Sequence, residues 1–183
     1  MGIMVLQGER VRLRPLERSD LPERLRRVND PVVKRLSTGV HADDTSETDM
    51  YIWFDMYSED PYSEQWAIED ASRRYVGDFD LHSIGVMGNE AWISPLFGSE
   101  ALWNDRELRL DAMRVILRYA FQEKGLDAVH IDVPDLDAVG IEVLEALGFE
   151  RTDTYELDMF TGVELYTYSV VADVFLMREG ALG

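Results

Sequence analysis

From Gly8 onward apolar and charged residues alternate: Val11 and Leu13 stand among Arg10, Arg12 and Arg14 until Pro15 and Leu16. A period of two marks a strand with one buried face, and proline ends it. The period then lengthens. Leu21, Leu25 and Val28 share one side of a helix that Ser19 or Asp20 would cap. Pro31 suits the first position of a second helix after the Asn29–Asp30 turn. A third helix, through Thr48 to Met56, is bracketed by Gly39 and Pro61. Trp66–Asp70, Arg74–Val86 and Asn89–Phe97 read as three strands in an antiparallel meander, joined by the polar turns Ala71–Arg73 and Met87–Asn89.

Leu102–Phe121 follows as a buried helix, with Leu108, Ala112, Val115 or Ile116, and Tyr119 in one stripe and Gly125 as its stop after Lys124. Ala128–Val133 is a short strand. The next helix starts at Asp135 or Asp137 and ends at Gly148. Phe149–Leu157 and Leu165–Met177 read as two closing strands. Trp92–Val133 is therefore a βαβ unit, which is right-handed and places two parallel strands side by side. The expected class is α/β or α+β with a mixed sheet. With 183 residues and neither repeat nor linker, the chain reads as a single domain, 1–183.

Composition narrows the chemistry. No cysteine is present, which excludes a thiol nucleophile, a disulfide framework and Cys-type metal sites. His41, His82 and His130 have no metal-ligand spacing, so no metal is expected. No apolar run is long enough to span a bilayer, the first residues lack a secretory pattern, and Leu6 defeats a myristoylation reading of Gly2. A cytoplasmic address is the expectation. Acidic residues number 36 against 18 basic ones, a net charge of −18, which repels nucleic acid. The acidity reads either as a genomic or high-salt habit or as attraction for a cationic substrate such as an amine.

Five stretches in order carry a family likeness: Leu6–Val33, Tyr75–Ile84, Leu117–Val133, Ala138–Glu150 and Ala172–Met177. Together they resemble the GNAT acetyltransferases, in the ribosomal-protein and small-amine (Rim-type) branch. The resemblance implies a mostly antiparallel central sheet with flanking helices, and transfer of an acetyl group from acetyl-CoA to a small-molecule or peptide amine. It also implies that the last meander strand is bulged and parts from the next strand, exposing backbone at Ser94, Leu96 and Phe97 for the pantetheine arm. Pro95, which removes a ladder donor, fits such an edge or bulge. Members of the family hold the diphosphate on a glycine-rich helix start, where bare amides and the helix dipole attract an anion. Here Arg106, Glu107, Leu108 and Arg109 occupy that start. In one register the glycine positions fall on Asp105, Glu107 and Arg109; in the other, on Asn104, Arg106 and Leu108. Neither register recovers a glycine, and two of these carboxylates have the wrong sign for an anion. Arg106 and Arg109 are the side chains that would replace the lost amides. The family's Asn and Tyr positions before and within the last helix are Asp137 and Leu144, and leucine cannot donate a proton to a leaving thiolate.

For the chemistry itself, Asp78, Asp80 and His82 lie on one strand face, and Glu90 precedes the bulged strand. Asp80, His82 and Glu90 are the candidate bases; a solvated face or a structural histidine is the alternative. Trp53 and Tyr57, in a segment also carrying Tyr51, Phe54, Tyr62 and several carboxylates, would bind a cationic acceptor. The alternative is an amphipathic helix packing Trp53 and Phe54 on the sheet. Two functions follow: an amine N-acetyltransferase with an altered cofactor mouth, or a GNAT fold that has lost acetyl-CoA and serves as a binding module. A homodimer through the long final strands is a further expectation.

Overall fold

A computed structural model describes residues 4–39, 43–158 and 160–181; His41 lies outside them. In order the elements are β1 (Leu6–Gln7), β2 (Arg12–Pro15), α1 (Leu21–Val28), α2 (Pro31–Thr38), α3 (Glu47–Ser58), β3 (Glu64–Glu69), β4 (Tyr75–His82) and β5 (Glu90–Phe97). Then come α4 (Glu100–Trp103), α5 (Arg106–Arg118), β6 (Ala128–Pro134), α6 (Ala138–Ala146), β7 (Glu150–Asp158), β8 (Val163–Val171) and α7 (Ala172–Ala181). All eight strands form one mixed sheet in the order β1-β2-β3-β4-β5-β6-β8-β7. Only β5 and β6 pair in parallel, as the βαβ pattern predicts; every other neighbour is antiparallel.

Three local expectations are corrected. The long helix is two helices: Trp103 ends α4, and the Asp105 side chain caps α5 by accepting from the Leu108 amide. The final apolar run leaves the sheet at Val171 and coils into α7, because Phe175 packs on Phe121 and Glu179 pairs with Arg114 and Arg118 of α5. An apolar run without clear periodicity fits either structure, and here docking on α5 decides. Strand β4 stops at His82, since Ser83 turns the chain with φ of 55°. Asp20 stands at the N-cap of α1, one of the two residues expected there, though its side chain does not bond the α1 amides. Asp20 instead accepts from the Glu17 amide and pairs with Arg14.

The two faces of the meander differ in kind. Phe79, Leu81, Ile93 and Phe97 belong to the main core, which α5 and α6 complete with Ala112, Ile116, Leu117 and Leu144. The opposite face carries a polar layer beneath α1 and α3. There Arg12 and Arg14 pair with Glu69, and Arg24 reaches Asp78 at 2.9 Å while stacking on Trp53 at 4.0 Å.

One side chain ties the first hairpin to the rest. Asp111, on α5, accepts from the amides of Glu9 (3.1 Å), Arg10 (2.7 Å) and Val11 (3.0 Å). A Cβ at Gly8 would meet its Oδ2 at 2.5 Å, so the turn needs glycine there. Replacing Asp111 by Ala strands three amides, and we expect unfolding free energy to fall by about 3 kcal/mol in urea, with Asn costing less. A loss below about 1 kcal/mol would show that water serves those amides equally well.

Candidate active site

The ladder between β5 and β6 runs only from Glu90–Ala128 to Trp92–His130. Beyond Trp92 the two strands part, while β5 stays paired with β4 through Phe97 in unbroken register. The strand is thus splayed from β6 without a bulge against β4, which corrects the bulge expected at Pro95. A polar clip holds the closed end of the gap. His130 Nε2 lies 2.8 Å from Glu90 Oε2, its Nδ1 lies 2.6 Å from Ser169 Oγ, and the Trp92 ring sits 5.1 Å from the imidazole. Glu90 is therefore joined to β6 and lines none of the cavities described below.

Helix α2 packs on β5, β6 and α4, across the open part of the gap. Asp30 caps it through the Val32 and Val33 amides, Pro31 opens it, and Gly39 ends it with φ of 76°. Its two sides line different cavities. Lys34, Ser37 and Thr38 face one of about 410 Å³, which Ser94, Pro95 and Leu96 of β5 also line. Pro31, Val32, Arg35 and Leu36 face another of about 810 Å³, beside Glu100, Asn104 and Leu136.

A third cavity, of about 340 Å³, adjoins the first and shares Trp53 and Asp80 with it. Its walls are the rings of Trp53, Tyr57 and Tyr62, and its polar lining includes Asp60, Asp80 and His82. Trp53, Tyr57, Asp80 and His82 thus come together, as their strand and helix spacing allowed. His82 Nε2 lies 3.0 Å from Ser94 Oγ, and Gln65 Nε2 donates to Asp80 at 3.1 Å. Burial raises the Asp80 carboxyl above the usual carboxylate range; Gln65, His82 and Arg24 pull it back, while Asp78 adds to the rise. Such a group takes up a proton more readily than a surface aspartate. Its neighbour Asp78 differs, being bound by both Arg24 and the Tyr75 hydroxyl.

The helix-start residues lie elsewhere. Leu108 is in the core, and Phe97 faces the core beneath Arg109. Arg106 is exposed and reaches Glu107 at 2.8 Å and Glu142 at 3.8 Å. Arg109 is buried: its guanidinium meets both oxygens of Asp137 at 2.7 Å and donates to the Trp103 carbonyl at 2.8 Å. Asp137 also caps α6 by accepting from the Gly140 amide. Two residues read separately as cofactor contacts are thus partners of each other. They stand 28 positions apart, a separation no local pattern reveals. Arg24, which takes one face of Trp53, was missed for the same reason. Among the described residues no cluster of His, Asp and Glu is arranged to hold a metal, and no helix is long and apolar enough to cross a membrane.

Comparison with known proteins places these features in a family. The chain has the fold of a spermidine N-acetyltransferase from Vibrio cholerae solved with CoA and spermine, at a TM-score of 0.80 and 16% identity over 92% of this chain and 99% of that one. A dodecameric structure of spermidine N-acetyltransferase from Vibrio cholerae matches at 0.76 and 17% identity, over 93% and 99%. A GNAT-family acetyltransferase from Bacillus anthracis matches at 0.74 and 16%, again over 93% and 99%. At such identities the likeness is one of fold. No curated protein matches the sequence. The family model for the acetyltransferase (GNAT) domain matches residues 10–150, and with the splayed β5–β6 pair in place the chain belongs to the GNAT acetyltransferase family.

Proposed function

We propose that the cleft at Asp80 binds a cationic amine, from a small molecule or a peptide, as the acceptor site of an N-acetyltransferase. The observation that carries this reading is the third cavity, where two carboxylates, Asp60 and Asp80, lie among three aromatic rings. Aromatic faces and carboxylates together favour an ammonium over a neutral or anionic ligand. In this reading Asp80 takes the proton that an ammonium must lose before its nitrogen lone pair can attack an acyl carbon, and His82, on the same strand face and lining the same cavity, is the second acceptor. The spermine-bound relative has the same fold, and this cleft has the charge for an amine of that kind.

On the donor side the residues fit acetyl-CoA only in part. The parted edge of β5 and the cavity along Ser94–Leu96 suit the arm of a thioester. The start of α5 does not suit a diphosphate, because carboxylates and an engaged guanidinium fill it. That mismatch favours a second reading, in which the protein keeps the amine cleft and no longer transfers acetyl groups.

Titration calorimetry with spermidine and simple diamines, beside mass spectrometry of the same amines incubated with acetyl-CoA, separates the readings. Acetylated amine supports the first; binding without acetylation supports the second; no binding at millimolar amine removes both. For Asp80→Asn we expect amine affinity to fall about tenfold to a hundredfold, the worth of a charge-assisted hydrogen bond. In the natural chain affinity should decline as pH falls through the raised Asp80 pKa, above the ordinary 3.8. Stability runs the other way. A raised folded pKa favours the protonated fold, so Asp80's contribution is present below its unfolded pKa and is lost as pH rises through the folded one. The Asn variant should therefore be at least as stable as the natural chain at neutral pH, and its amine binding should lose that acid limb. An unchanged pH profile would remove Asp80 from the site.

A further inference from the structure

We infer that the start of α5 is a closed joint to α6, so that the nucleotide diphosphate of a coenzyme-type donor is not a handle for this protein. The inference rests on the reading of the β5–β6 gap as the donor side. Arg109 and Asp137 form a two-pronged pair with side chains only 5% and 4% exposed. The guanidinium lies 4.9 Å over Phe97 and 4.8 Å over Trp103, and it also holds the Trp103 carbonyl that ends α4. The joint is built into the backbone as well. A Cβ at Gly140 would meet Asp137 Oδ2 at 2.1 Å and the Arg109 Nη2 at 2.5 Å, so α6 admits the pair only through a glycine.

Drawing Arg109 out to a phosphate would leave Asp137 buried and unpaired, and the loss of one partner from such a pair is heavily penalised. The rest of the mouth repels an anion. Asp105 occupies the Leu108 amide, and exposed Arg106 already stands between Glu107 and Glu142. Bare helix-start amides attract phosphate because nothing else serves them; here the Asp105 carboxylate serves the Leu108 amide and adds negative charge beside the others. The joint is not without cost, since Trp103 Nε1 is buried with no acceptor.

The test compares coenzyme A with pantetheine, which has the same thiol arm and neither diphosphate nor nucleotide, by calorimetry on the natural chain at low and high salt. We expect the two dissociation constants to agree within about threefold and to share one weak salt dependence. A preference of tenfold or more for coenzyme A, screened by salt, would overturn the inference. Binding of neither ligand removes the acetyl-donor reading of the cleft and leaves the joint standing. A second measurement keeps the joint itself open to refutation. Arg109→Met and Asp137→Leu should each lower Tm by about 10 °C, while the double variant recovers most of the loss. If both single variants keep Tm within about 2 °C, Arg109 is no structural partner of Asp137 and the closed joint is wrong.

Discussion

Strands β5 and β6 share hydrogen bonds over three residue pairs and then separate, and the rest of the molecule is arranged around that separation. A parted strand leaves main-chain groups that must find other partners or water. The closed end is held by a row of side chains across three strands, Glu90, His130 and Ser169. Near the open end, α5 and α6 are tied by Arg109 and Asp137, and α2 lies across the space between the strands. The three cavities follow from this division: one on each side of α2, and a third reached past Asp80 and Trp53.

The charge distribution reinforces the arrangement. Several arginines turn inward to meet specific carboxylates: Arg12 and Arg14 on Glu69, Arg24 on Asp78, Arg109 on Asp137. Cations used this way contribute little field at the surface, so the net charge of −18 is expressed mainly outward. Lysine cannot replace them readily. A planar fork meets two carboxylate oxygens at once, as Arg109 meets Asp137 while its guanidinium carbon lies 4.9 Å and 4.8 Å from the Phe97 and Trp103 ring centres. The inward pairing also accounts for Arg24 covering Trp53 on one side, while Trp53 lines the third cavity together with Tyr57 and Tyr62.

Much of the fold was legible in the sequence because its signals are local. Pro31 after Asp30 opens α2, Asp137 and Gly148 bracket α6, and the alternation of Val11, just before β2, with Leu13 inside it predicts their burial. Period two along Asp78, Asp80 and His82 likewise gave the face they share. What escaped is decided by distant partners. Nothing near Val171 says that the next residues coil; Phe121 and the arginines of α5 decide it. The break at Asn104–Asp105 was hidden because neither proline nor glycine marks it. The pairing of Arg109 with Asp137 was invisible for a different reason: each residue alone fits a cofactor contact, and only the folded chain brings them within hydrogen-bonding distance.

The attachment of Asp111 to the amides of residues 9, 10 and 11 bears on how the chain is made. These bonds span 100 to 102 positions. During synthesis, the first hairpin turn emerges from the ribosome long before its acceptor does. Until α5 is outside and coiled, the three donors of that turn have only water, and the strand they flank lies open to wrong partners. Closure of so long a loop brings slow, late consolidation. The turn at residues 9–11 is therefore fixed only once α5 has formed.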